Sequence, residues 1–354
     1  MSKYLKRRLL KTTLKRYLFY AACIWLGITV VTLSISGSIL KPTSDLDIYL
    51  PPPNPQQGPP PLRFEDKSRA IIEIAGNVFI DNETFRGMNQ LKRIEFSAAY
   101  LGEIRPGWFT DHGNAPNLAE IYVHKDNPNY SSDKEGNLYN KEGTKLIFLP
   151  RGKDKYEANK FKSETLVLPS GVIEIGEKAC EYVSYLKKVT FNNNLEKIGR
   201  YAFRGCSSLE EISLPGSVKE LDDYAFYNCR NLALFSFASG NRLNRIGIGA
   251  FQNCYALESI SIPGGVSEIS SWCFQGCKNL QSVTLPSALN SIGDFAFRYC
   301  VGLRELFIPS SINYIGRNAF ESCETQLKFA ISAPGAWPAQ WNHGLKTDPL
   351  WNQI

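Results

Sequence analysis

An internal repeat constrains this chain more than any other feature. The segment IGRYAFRGCSSLEEISLPGSVKE begins at Ile198 and is followed by LDDYAFYNCRNLALFSF from Leu221 and IGIGAFQNCYALESISIPGGVSE from Ile246. Further copies are ISSWCFQGCKNLQSVTLPSALNS from Ile269, IGDFAFRYCVGLRELFIPSSINY from Ile292 and IGRNAFESC from Ile315. Their leading residues are separated by 23, 25, 23, 23 and 23 positions, and an extra pair near Ser239-Gly240 accounts for the 25. An earlier copy starts at Ile175, with Cys180 where the others carry Phe. More divergent copies surround Phe85-Leu91-Ile94-Phe96 and Phe109-Leu118-Ile121-Val123. One such unit cannot bury its own apolar face, whereas stacked neighbours share a continuous core, so a fixed period of this size predicts a solenoid.

Each unit has a physical reading. Leu209, Ile212 and Leu214 include a two-residue alternation that suits a short strand with one face inward. Pro215 ends that ladder because it has no N–H to donate. Val218 to Leu221 forms a second short extended stretch, and Gly199, Gly247 and Gly293 are expected to permit a turn. The Ala-Phe pair then places Phe203, Phe226, Phe251, Phe274, Phe297 and Phe320 in the interior, next to a short helical turn. The predicted class is a β-rich α/β solenoid of about 23 residues per coil.

The same alternation turns other strand residues outward. The outward pairs are Glu120/Tyr122, Lys188/Thr190, Glu211/Ser213, Leu234/Ser236, Ser259/Ser261, Ser282/Thr284 and Glu305/Phe307. The centre of this ladder is rich in hydroxyls and uncharged, with aromatic rings toward its ends. Tyr122, Glu211, Ser213, Ser236, Ser259, Ser261, Ser282, Thr284 and Phe307 are therefore the candidate partner-binding residues. Small polar groups suit a partner that approaches closely, such as a protein strand or a glycan. Plain solubility of an exposed β-ladder is the competing explanation.

The repeat motifs resemble the BspA-like leucine-rich repeats, in bacteria a family of surface proteins. The likeness covers roughly residues 70–354. NPNYSSDKEGNLYNKEGTKLIFLPRGK, residues 127–153, is similar to the insertion these proteins carry between repeat blocks, and APGAWPAQWN at 333–342 to their terminal segment. Glu135-Gly136-Asn137 and Glu142-Gly143-Thr144 read independently as turns between short strands. The resemblance implies a leucine-rich-repeat solenoid and a role in adhesion, since some members bind host matrix proteins or other cells.

Charge is distributed unevenly. The chain has 40 basic and 34 acidic residues, a net charge of +6. Seven basic residues and no acidic one lie in positions 1–16, so the remaining 33 basic and 34 acidic residues leave positions 17–354 at −1. A neutral folded part argues against nucleic acid as partner. Residues 17–40 lack formal charge and are long enough to span a bilayer as one helix. With all seven positive charges before it, this segment reads as a signal anchor that leaves the N-terminus cytoplasmic and exports the rest. Ser34 and Ser36 before Gly37 keep a cleaved signal peptide open, and with it secretion. Eight prolines between Lys41 and Arg63 predict an extended spacer. The expected order is a basic tail (1–16), an anchor (17–40), a stalk (41–63), divergent repeats (64–123), a hairpin-type insertion (124–165), regular repeats (166–330) and a Trp-rich cap (331–354).

Signals for chemistry are sparse. Cys206, Cys229, Cys254, Cys277, Cys300 and Cys323 recur at the repeat period, which predicts a column of small buried residues. Metal ligands would instead converge on one point. Disulfides between adjacent coils remain an alternative in an oxidising compartment. Ile246-Gly247-Ile248-Gly249-Ala250 falls in register with the other copies, so it is repeat and not a dinucleotide loop. His112, His124 and His343 form no ligand spacing, and no nucleophile elbow or phosphate loop occurs. No cofactor is expected, and the chain reads as a non-enzymatic, extracytoplasmic adhesion or interaction module. The alternative is a membrane-tethered scaffold or sensor acting on a partner in its own envelope.

Overall fold

The computed structural model describes residues 62–76, 78–109, 114–153, 164–323 and 326–329. Strands β1 (Ile71–Ile74), β2 (Arg93–Phe96) and β3 (Glu120–Val123) come first, then β4 (Tyr130–Ser132), β5 (Leu138–Asn140) and β6 (Lys145–Phe148). From there the chain alternates a longer and a two-residue strand. These are β7 (Thr165–Val167) and β8 (Glu174–Ile175), β9 (Lys188–Thr190) and β10 (Lys197–Ile198), β11 (Glu211–Leu214) and β12 (Glu220–Leu221). The series continues with β13 (Leu234–Phe237) and β14 (Arg245–Ile246), β15 (Ser259–Ser261) and β16 (Glu268–Ile269), β17 (Ser282–Thr284) and β18 (Ser291–Ile292). It ends on β19 (Glu305–Ile308), β20 (Tyr314–Ile315) and β21 (Gln326–Phe329).

Equivalent strands of successive coils pair in parallel, which is what stacking at a fixed period requires. β1, β2 and β3 form one sheet, β7-β9-β11-β13-β15-β17 a second, and β19-β21 a third. On another side of the coil, β14-β12-β10-β8 continue through β6 into the antiparallel strands β5 and β4, and β16-β18-β20 pair separately. The inward strand residues Leu166, Val189, Ile212, Phe235, Ile260, Val283 and Leu306 are buried, as the alternation requires. The extra pair in the 25-residue coil, Ser239-Gly240, is exposed between β13 and β14, where it disturbs no ladder.

The expected helical turn is not there: the described residues contain no α-helix. The Ala-Phe segment is instead a run of tight turns broken by left-handed residues. Tyr201, Tyr224, Gly249, Trp272, Phe295 and Asn318 have φ between 52° and 59°, and four residues on Gly205, Asn228, Asn253, Gly276, Tyr299 and Ser322 are again positive. A left-handed residue every fourth position stops helix propagation. The hydrogen bonds then alternate. Ala202, Arg204 and Cys206 N–H groups donate three residues back, whereas Tyr201, Phe203 and Gly205 N–H groups donate to Asp223, Ala225 and Tyr227 carbonyls of the next coil. The turn edge is thus a third ladder along the solenoid. Its coil-to-coil bonds offset the roughly 1–2 kcal/mol that a left-handed side-chain-bearing residue costs.

The repeated glycines also act differently from expectation. Gly199, Gly247 and Gly293 are not left-handed; a Cβ there would lie 2.9, 2.5 and 2.5 Å from backbone nitrogens of the preceding coil. They permit close approach of backbone to backbone. Inside, the phenylalanines stack as the period implies, with centroids of Phe203, Phe226, Phe251, Phe274, Phe297 and Phe320 at successive spacings of 5.2, 5.8, 5.3, 5.3 and 5.4 Å and interplanar angles of 14° or less.

Beside them run the cysteines. All eight described are free thiols, and all but Cys323 are fully buried. Each thiol of the column donates to a carbonyl of the preceding coil: Cys206 to Cys180 O at 3.0 Å, Cys229 to Phe203 O at 3.0 Å, Cys254 to Phe226 O at 3.2 Å and Cys277 to Phe251 O at 3.1 Å. Cys300 and Cys323 continue the series onto Phe274 and Phe297. Burial pushes the thiols of Cys206, Cys229, Cys254, Cys277 and Cys300 well above their ordinary pKa, Cys206 to about 12, so they are protonated donors and poor nucleophiles or ligands. The column is therefore more than apolar filler.

The anchor (17–40), the stalk (41–63, apart from its last two residues) and the C-terminal cap (331–354) lie outside the described residues. Among the described residues no helix is long and apolar enough to cross a membrane.

Candidate recognition surface

Alternation along β7 to β17 sends one residue in two out of the sheet, and pairing sets those residues in two columns. In the first, Thr165, Lys188, Glu211, Leu234, Ser259 and Ser282 are successive partners. In the second, Val167 pairs with Thr190, Ser213 with Ser236 and Ser261 with Thr284. Neighbouring strands lie about 4.8 Å apart, so the second column presents the hydroxyls of Thr190, Ser213, Ser236, Ser261 and Thr284 at that pitch.

The face brings most of the sequence-derived candidates together. Ser213, Ser236, Ser259, Ser261, Ser282 and Thr284 are exposed on this one sheet, and Glu211 is half-buried there, ion-paired to Lys188 of the neighbouring strand. Phe307, 63% exposed, follows on β19, which belongs to the next sheet. Tyr122 is separate: it projects from β3 in the sheet that precedes the inserted strands, with the Arg93 guanidinium 5.4 Å from its ring centre.

Two shallow grooves mark these faces. One of about 400 Å³ lies over β9 to β15, lined by Lys188, Glu211, Ser213, Leu234, Ser236 and Ser259. Leu234 projects into solvent here, 55% exposed, between the Lys188–Glu211 pair and the hydroxyls. A second, of about 480 Å³, follows β3 and the inserted strands and is lined by Arg93, Tyr122, His124, Lys125, Asp133 and Lys141 among others.

Two features escaped the sequence reading. Val167, 64% exposed, gives the hydroxyl column an apolar end opposite Phe307; its place in Thr165-Leu166-Val167-Leu168-Pro169 was the available signal. On the turn edge Tyr201 stacks on Tyr224 at 5.1 Å and Trp272 on Phe295 at 6.1 Å, interrupted at Gly249. The aromatic two residues before Phe203, Phe226, Phe274 and Phe297 encoded that column. No three His, Cys, Asp or Glu side chains among the described residues come together as metal ligands would.

Comparison with known proteins fits this geometry. The profile of the BspA type leucine rich repeat region matches residues 152–254 and 236–333 in six copies, just over half of the chain. Among solved structures, a leucine-rich repeat protein from Eubacterium ventriosum is similar at 26% identity with a TM-score of 0.60, over 77% of this chain and 66% of that one. The present chain thus spans just under two thirds of that protein's length. A leucine-rich repeat protein of T. pallidum is 28% identical over 55% of this chain and 86% of its own, with a TM-score of 0.44. A leucine rich cell surface protein from Faecalibacterium prausnitzii is 23% identical over 57% of this chain and 53% of its own, with a TM-score of 0.43. No curated protein matches the sequence.

Proposed function

Because the chain belongs to the BspA-type leucine-rich-repeat family, we propose that it is a non-catalytic recognition module held outside the cytoplasmic membrane by residues 17–40, and that it binds a protein or glycan through the strand face of its regular coils. Repeat solenoids serve interaction because they offer many side chains at fixed spacing on an extended surface. The observation that carries the reading is the composition of that face: an uncharged run of hydroxyls, closed at one end by Val167 and at the other by Phe307, with Leu234 exposed in its groove. Hydroxyls both donate and accept without the desolvation cost of charge, so a backbone edge or a sugar chain can pair with them closely.

The test replaces Ser236, Ser259, Ser261 and Ser282 by lysine in the full chain. The intact protein is first used to capture partners from host matrix and from the cell's own envelope. Four charges buried without counter-charges at an interface cost several kcal/mol, roughly a hundredfold or more in affinity, while exposed lysines are tolerated by the fold. Binding should collapse with circular dichroism unchanged. A partner that binds the quadruple variant undiminished moves the site to the groove beside Tyr122.

A further inference from the structure

Where the inserted strands meet the repeat array, a lysine and an asparagine are buried against each other. Lys153 is 5% exposed and Asn137 1%. Lys153 Nζ lies 2.6 Å from Asn137 Oδ1, and Asn137 Nδ2 donates to Asp133 Oδ2 at 2.8 Å. Only this orientation of the amide meets an amine on one side and a carboxylate on the other. Asp133 is itself fixed: its Oδ1 accepts from the Glu135 and Asn137 N–H groups, both at 2.9 Å, and its Oδ2 from the Tyr139 hydroxyl at 2.9 Å. The lysine is held equally firmly. Gly152 before it has no room for a Cβ, which would lie 2.3 Å from the Asn117 carbonyl carbon, and its N–H donates to Leu118 O at 2.8 Å.

These are the parts of an acyl transfer. A C=O bond is about 1.23 Å long, so Lys153 Nζ stands no more than about 3.8 Å from Asn137 Cγ, close to the separation of a near-attack pair. Burial lowers the Lys153 pKa from its ordinary 10.5 against the pull of Asp133, Glu135 and Glu120, which raises the share of neutral, nucleophilic amine. Lys153, Asn137 and the neighbouring Tyr139 are all buried, which limits the access of water, the competing nucleophile.

We propose that Lys153 and Asn137 join spontaneously in an intramolecular isopeptide bond, with Asp133 as the proton carrier. Lys153 Nζ attacks Asn137 Cγ; the Nζ–Cγ bond forms and the Cγ–Nδ2 bond breaks. One Nζ proton passes by way of Asp133 Oδ2 to Nδ2, which leaves as ammonia. Amine plus primary amide thus give secondary amide plus ammonia, and no oxidant or cofactor is needed. The bond closes a ring from the start of β5 to the residue after the Gly152 contact. Within that ring Leu138 belongs to the apolar core of the first coils and Tyr139 to that of the regular array, so the bond would tie together the inserted strands that contribute to both cores.

Intact mass under denaturing conditions tests this on the purified full chain. The expected mass is that of the sequence less one ammonia, and proteolysis should release a branched peptide containing Asn137 and Lys153. Lys153→Met and Asp133→Asn should both show the full mass and the two peptides separate. Wild-type protein of full mass overturns the proposal. So does an ammonia loss that persists in Lys153→Met, which would place it in a cyclic imide of an asparagine. Crosslinking at the wild-type level in Asp133→Asn overturns the role given to Asp133. If either variant fails to fold, the wild-type mass and the branched peptide decide alone.

Discussion

The coils before and after the inserted strands solve the same packing problem with different side chains. In the regular array one Phe and one Cys recur per coil, the rings lie parallel, and each thiol bonds to the coil behind. In the first block the strands begin at uneven intervals, at Ile71, Arg93 and Glu120, and the interior is a mixed aromatic set. Phe85 and Phe109 meet at 5.4 Å, Phe109 and Phe148 at 4.6 Å, and Phe96 leans on Tyr100 at 39°. Here asparagines reach the preceding coil: Asn127 Nδ2 donates to Ser97 O at 2.8 Å and Tyr100 O at 3.0 Å, and Asn117 Nδ2 to Asn89 O at 2.6 Å. Wherever coils turn, carbonyls are left that need a donor. An amide reaches them across irregular spacing, at the cost of burying a strongly polar group. A thiol is a weaker donor, sufficient where identical coils bring the carbonyl to its sulfur every time, and it leaves the core apolar.

Alkali should separate the two blocks most widely. A buried thiol with a raised pKa stays protonated in the fold while the unfolded chain releases its proton, so stability falls as pH rises above the ordinary value of 9.0. For Cys206 the window runs from 9.0 to about 12, and each such thiol removes about 1.4 kcal/mol per pH unit. The first block has no cysteine among its described residues; its raised groups, Tyr100 and Tyr130, start from 10.0. Pulse proteolysis with mapped fragments should show the array opening about one pH unit before the first block. Simultaneous opening, or the reverse order, would break the contrast.

Deleting a ring comes next. Phe251→Ala removes one member of the stacked column and should cost about 3–5 kcal/mol in denaturant unfolding. Phe307→Ala, on the exposed side of its strand, should stay within about 0.5 kcal/mol. Equal losses would mean that strand alternation does not sort inside from outside.

The donors themselves give the smallest and most discriminating effects. Asn127→Ala abolishes two donated bonds and the two its Oδ1 accepts from the Asn129 and Tyr130 N–H groups, for about 2–3 kcal/mol. Cys254→Ala loses one weak bond and a sulfur's packing, about 1–2 kcal/mol, and Cys254→Ser should recover part of it. Reductant should leave the melting temperature unchanged, because the thiols are free. A cysteine loss matching that of Asn127 would show the thiols to be full structural donors.

Much of this was legible in the sequence because repetition writes the same instruction many times. The period, the interior Phe column, the inward strand residues and six hydroxyl positions on one face all follow from counting. What failed were inferences from a single unit. The Ala-Phe segment is expected to carry a short helical turn, yet Tyr201 and Trp272 are left-handed and their N–H groups reach carbonyls of the next coil. Gly199 reads as a turn glycine, whereas its constraint is the backbone of the coil behind. Tyr122 matches the alternation of its strand but sits in another sheet, and no counting rule shows where one sheet stops.

Parallel registry also makes the strand face a ruler. Ser259 and Ser282, and Ser261 and Thr284, are near-equivalent graduations one coil apart. A partner with its own repeat near 4.8 Å would find several alignments of almost equal energy and could slip between them. Lys188, Glu211 and Leu234 end that equivalence on one side and Phe307 on the other. They supply the zero and the end stop of the scale, so that a ligand long enough to reach either mark is fixed in one position and a shorter one is free to travel.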